Sequence, residues 1–158
     1  MATWDEFAAS DPELGAYGHE RLHKHGIGLA YLATVRHDDG GPRVHPTCPY
    51  LAEGRLYVAI PKTSPKRLDL RANPAYMLHA FPDEEDPEFS IRGRARLVAD
   101  GEEREIVAAA CPFASGVHTD DDVFELDVER ADSTRWENWA KADTYPVRRK
   151  WIADRLIA

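Results

Sequence analysis

Residues 54–98 read GRLYVAIPKTSPKRLDLRANPAYMLHAFPDEEDPEFSIRGRARLV, and the reading of the fold starts there. In 54–60, Leu56, Val58 and Ile60 alternate with Tyr57 and Ala59, the period of two expected of a half-buried strand. In 88–98 the alternation is stricter, with Phe89, Ile91, Gly93, Ala95 and Leu97 expected inward and Ser90, Arg92, Arg94 and Arg96 outward. Between these strands Ser64-Pro65 opens a short helix, with Ser64 as N-cap and Pro65 in the first turn. Asn73-Pro74 ends it, because the residue before a proline is pushed out of the helical region. AYMLHAF (75–81) then supplies an apolar strand. The strand-to-helix connection thus gathers Thr63, Ser64, Lys66 and Arg67 at a helix start. Amide donors, hydroxyls and cations together suit a phosphate. A capped surface helix with solvated lysines is the alternative.

Upstream, Thr3-Trp4-Asp5-Glu6 has the form of a capping box, and Ser10-Asp11-Pro12 starts a second helix that should stop at Gly26. That helix contains His19-Glu20-Arg21-Leu22-His23, the H-E-x-x-H arrangement of zinc peptidases. The extended pattern fails at Leu29, where a third histidine is needed, so the motif is read as a solvated face. Residues 28–35 form a strand with Leu29, Tyr31, Ala33 and Val35 on one face, and 37–42 (HDDGGP) form a hairpin turn. The strand over 43–51 carries Pro46 and Pro49, which deny ladder hydrogen bonds and place it at an edge or a bulge.

Downstream, a helix over 102–110 should pack its alanine face on the sheet, and Pro112 ends it. A last strand over 120–129 points Phe124, Leu126 and Val128 inward and Glu125, Asp127 and Glu129 outward, the latter read as a solvated acidic face. The order β-β-β-α-β-β-α-β, with short connections, describes an α+β fold built on a small antiparallel barrel with helices at its rim.

The chain has 158 residues, enough for one domain with a substantial core. Its net charge of −8 argues against general affinity for nucleic acid or anionic membrane. No apolar run is long enough for a membrane span and the acidic N-terminus is not a signal peptide, so the expected location is cytoplasmic. Cys48 and Cys111 fit no metal spacing and read as reduced thiols.

The stretch 56–98 resembles the FMN-binding split-barrel superfamily of pyridoxamine 5'-phosphate oxidase. The resemblance rests on Tyr57, Ser64, Lys66, Leu70, Asn73, Pro74 and Gly93, in that order. It covers about residues 28–129 and implies a single split-barrel domain, with N-terminal helices over 1–26 and a covering segment over 130–158. It also implies a homodimer, with FMN in a groove between subunits, and an oxidoreductase acting on a small-molecule substrate. The positions it marks for the phosphate are Ser64, Lys66 and Arg67, aided by Arg43, Lys62 and Thr63. Backbone along Pro46, Thr47, Val58 and Ala59 would flank the flavin ring, and no side chain is expected to act as a nucleophile. The ending Trp151-x-x-x-Arg155-Leu156 is similar to that of the oxidase. Cys48 replaces a second cation, Glu88 a flavin-contacting glutamine, and the substrate-holding Arg-Leu-His-x-Arg segment has no counterpart, which weighs against vitamin-B6 oxidation itself. A deazaflavin-dependent reductase on the same barrel is one alternative. A non-enzymatic flavin or haem carrier, with His45, His79 or the His19–His25 cluster as ligand, is another.

Overall fold

Helices enter first, because the first two dozen residues carry caps and few β-branched side chains. The computed structural model describes residues 2–154. Helix α1 (Trp4–Ser10) opens with the expected capping box between Thr3 and Glu6. Helix α2 (Pro12–His23) starts at a proline, with the Asp11 carboxylate accepting the Leu14 N–H at 3.1 Å. Strands β1 (Ala30–Val35), β2 (Pro42–Thr47), β3 (Tyr50–Ala52) and β4 (Arg55–Ile60) follow, then helix α3 (Lys66–Ala72). Strands β5 (Ala75–Ala80) and β6 (Glu88–Leu97) precede helix α4 (Glu102–Ala109), and the long strand β7 (Asp122–Glu137) and β8 (Tyr145–Ile152) close the chain.

The strands form one antiparallel sheet in the order β2-β1-β5-β6-β7-β4-β3, with β8 paired to the C-terminal half of β7. It curls around its core as a split β-barrel, the expected α+β architecture. Its two end strands, β2 and β3, are consecutive in the chain and joined by Cys48-Pro49. The proline-rich strand therefore lies at both edges, as the missing ladder donors require. Inside, Phe89, Ile91, Leu32, Leu78, Val58, Phe124 and Val128 meet Trp4, Phe7, Leu14 and Leu22 from the two N-terminal helices. Gly18 lets α2 lie on the Phe89 ring, whose atoms would stand 2.2 Å from a Cβ there. Gly93 marks a bulge between β6 and β7, where a Cβ would meet the Asp127 carbonyl at 1.9 Å.

Several expectations are corrected. Pro65, not Ser64, occupies the N-cap of α3, and no side chain caps the helix. The Ser64 and Pro65 carbonyls instead accept the Arg67 and Leu68 N–H groups at 3.3 and 3.0 Å, a tight first turn that leaves the hydroxyl unused. Leu97 is 39% exposed, because β6 runs past the core and Val98 turns inward in its place. On α4 only Val107 is buried, and Ala109 and Ala110 are exposed, since a lone methyl buries too little surface to orient a helix. The acidic face of β7 is not solvated at Glu125. That carboxylate is 2% exposed and held between Arg55 and Arg96. Within the segment read as a cover, residues 130–152 extend the sheet: β7 continues to Glu137, and β8 pairs along it from Ile152 to Tyr145. Trp151 packs on Phe7 and donates its indole N–H to Ser10 Oγ at 2.9 Å, tying β8 to α1. Arg155 and Leu156 lie outside the described residues.

Candidate functional site

The seam between the two sheet edges is where chemistry-bearing residues collect. The outer edge of β2 has no strand partner, and β3 covers β4 only from Arg55 to Tyr57. Pro46 and Thr47 thus lie on one uncovered edge, and Val58 and Ala59 on the edge of β4 beyond its partner β3. Their other sides pair with β1 and β7 respectively. Helix α3 bridges this seam. Lys66, its first residue, is 8% exposed and donates Nζ to the Pro46 carbonyl at 2.8 Å. Among the described residues no carboxylate comes within ion-pair distance of it. Burial holds the Lys66 ammonium below the usual lysine range, opposed only by the nearby Cys48 thiol.

Asp69, one turn along, is fully buried and saturated. Its two oxygens accept from Thr34 Oγ1 at 2.9 Å, the His37 N–H at 3.0 Å, His37 Nδ1 at 2.9 Å in the Nδ1–H tautomer, and Arg43 Nε at 2.7 Å. Burial pushes the carboxyl up, but these donors outweigh it and hold Asp69 below the usual carboxylate range. Arg43 therefore sits on the inner face of β2 as a partner of Asp69. Neither Asp69 nor His37 was singled out from sequence, and the only signal for Asp69 was a charge inside a short amphipathic helix.

The remaining predicted phosphate ligands form the exposed rim. Lys62, just after β4, pairs with Asp120, just before β7, the strand bonded to β4 on the side away from the seam. Arg67 stands 3.8 Å from Asp122, whose oxygens are already taken by Arg71 at 2.6 and 2.8 Å. Thr63 is exposed, Ser64 half-buried. The structure thus brings Lys66 to Pro46 and sets Thr63, Ser64 and Arg67 around the same turn, while Arg43 and Lys62 are engaged by carboxylates. The donor set fits a phosphate. Lys66 keeps two N–H donors unspent beyond its bond to Pro46, and Arg67 is held only by a long contact.

The other histidines are placed differently. His19 and His23 stack at 4.4 Å between ring centres, and His23 Nδ1 lies 3.1 Å from the His19 carbonyl. No group of three or more metal-ligating side chains comes together among the described residues. His45 faces the barrel interior opposite Leu32, and His79 lies on the outer face with Nδ1 2.7 Å from the Ala80 carbonyl.

Residues 20–135 match the sequence model of pyridoxamine 5'-phosphate oxidase. The chain belongs to the pyridoxamine 5'-phosphate oxidase family. Solved structures with this fold include PhzG from Burkholderia lata 383, in complex with tetrahydrophenazine-1-carboxylic acid. It is 13% identical with a TM-score of 0.62, over 93% of this chain and 91% of its own. A heme binding protein from Mycobacterium smegmatis is 17% identical with a TM-score of 0.58, covering 84% of this chain, which spans 57% of that protein. HupZ from Group A Streptococcus is 18% identical with a TM-score of 0.59, over 73% of this chain and 90% of its own. At such identities the likeness is one of fold. No curated protein matches the sequence significantly. No helix among the described residues is long and apolar enough to cross a membrane.

Proposed function

We propose that this family member is an FMN-dependent oxidoreductase, binding the cofactor at the seam of a homodimer and exchanging two electrons with a small-molecule substrate. The observation that carries the reading is Lys66, a buried cation whose one partner is a carbonyl dipole. A buried charge without a counter-charge is costly, and a phosphate would supply one. In this reading Lys66, Arg67, Ser64 and Thr63 hold the phosphate, and Arg43 and Lys62 add positive potential from their ion pairs. Uncovered backbone at Pro46, Thr47, Val58 and Ala59 orients the ring and excludes water from one side. FMN, when bound, supplies the electron-accepting ring, and the protein's part is binding, orientation and electrostatics. Dimerisation is supported by the outer face of β1, β2 and β5, where Tyr31, Val44 and Met77 are exposed and Tyr31 stacks on Phe81 at 4.5 Å.

The test is the visible spectrum of the purified protein and of Lys66→Met, with the chromophore released and identified. Flavin absorbance lost in the variant supports the site. Equal FMN binding by both proteins rejects it. A second reading, haem binding, is favoured by the likeness to the Mycobacterium smegmatis protein, and a Soret band abolished by His45→Ala or His79→Ala would replace the flavin reading. Binding of a deazaflavin in place of FMN would keep the phosphate site and change the chemistry.

A further inference from the structure

We infer that the slot between α2 and the β7–β8 ribbon is a binding site for a small carboxylate with an apolar body, separate from the seam. The slot has a volume of about 190 Å³, far more than one water needs. None of the residues assigned to the cofactor lines it.

The register of the ribbon builds its floor. Ser133 pairs with Arg149 and Arg135 with Val147, so these four side chains share the face turned toward α2. In a chain of net charge −8, two arginines on this face (135 and 149) line the slot against a single lining carboxylate, Glu13. Arg149 is already engaged, by Asp11 at 2.7 and 2.9 Å and by Glu13 at 2.5 Å. Arg135 is not. Its guanidinium lies over the Tyr17 ring, 4.2 Å from the ring centre, and no carboxylate pairs with it among the described residues. That stacking gives the Tyr17 hydroxyl no hydrogen bond of proper geometry, and the oxygen is buried without a partner. Burial pushes the phenol up, so it stays a donor at neutral pH.

The buried Tyr17 hydroxyl lacks an acceptor, and beside it stands the exposed Arg135 guanidinium, free of any ion pair on the slot side. Glu84, Glu85 and Glu137 lie in the adjoining cleft. Together the hydroxyl and the guanidinium offer an anion two donors. The planar fork of Arg135 matches a carboxylate, and Ser133 adds a hydroxyl at the floor. Leu14, Val147 and the Tyr17 ring give the slot apolar walls, which select an organic body. Glu13 at the rim disfavours a dianion.

The test uses the full chain and two probes of equal shape, benzoate and neutral benzamide, read by thermal shift and titration calorimetry. Benzoate is expected to raise the midpoint in a concentration-dependent way and benzamide to leave it unchanged. Tyr17→Phe removes a hydroxyl that makes no bond, so the fold should be retained while benzoate affinity falls at least about tenfold. Arg135→Gln should do the same, and Lys66→Met should leave benzoate binding intact. Benzamide binding as well as benzoate overturns the inference. So does undiminished benzoate binding in Tyr17→Phe and Arg135→Gln, or its loss in Lys66→Met, which would move the anion to the seam.

Discussion

Lys66 and Asp69 stand one turn apart on the same helix, both buried, with opposite charges, and the protein treats them in opposite ways. Asp69 receives four donors from β1, β2 and the turn between them, so its charge is fully compensated and it locks α3 against the sheet. Lys66 receives one carbonyl. Burial cost is met by internal compensation at Asp69 and left open at Lys66. A fold that solves one buried charge and leaves its neighbour unsolved marks the neighbour as a place for something external.

The sharpest way to break this contrast is Asp69→Ala. It leaves Arg43 and His37 without their acceptor and should cost about 3–5 kcal/mol in urea unfolding. A cost below about 1 kcal/mol would mean that the cluster is not the lock. Lys66→Met should behave oppositely, leaving ligand-free stability unchanged or raised while weakening FMN at least about tenfold, as loss of a charge-assisted bond implies.

Thermal midpoints against pH sharpen the pair further. Asp69 titrates below its unfolded value, so its contribution is present above about pH 4 and is lost as pH falls through the folded value. Lys66 is also lowered, and for a base this means that the unfolded chain binds the extra proton. Relative to Lys66→Met, the ligand-free protein should therefore gain stability as pH rises toward about 10, with the raised Cys48 and tyrosine groups acting alike on both proteins. Parallel profiles for the two proteins would assign the titration to another group. The smallest effect belongs to Ser64→Ala. As a helix cap, Ser64 would cost about 1 kcal/mol on removal. With no cap bond present, unfolding should move by less than about 0.5 kcal/mol, and any change should appear in FMN binding instead.

Much of the barrel was legible, because alternation is a local property. Leu56, Val58 and Ile60 point inward, as do Phe89, Ile91 and Ala95, and the chain leaves α3 at Asn73-Pro74 as read. Pro46 and Pro49 located the sheet edges through a missing donor. The site was half legible. Lys66 and the hydroxyls around it carry a phosphate-like composition, but Arg43 was read as a free cation when Asp69 holds it. Glu125 was read as solvated when two arginines enclose it. The misses share a cause: an alternating charge looks the same whether water or an arginine from a distant strand faces it.

By itself, the sequence determined the strands through their period of two and the first helices through their caps. Tertiary structure decided which cation meets which carboxylate, that β7 runs on to support β8, and that Tyr17 and Arg135 line one slot. Those outcomes depend on pairings between residues far apart in the chain. Their partners are chosen by sheet register and desolvation, which no local window of residues contains.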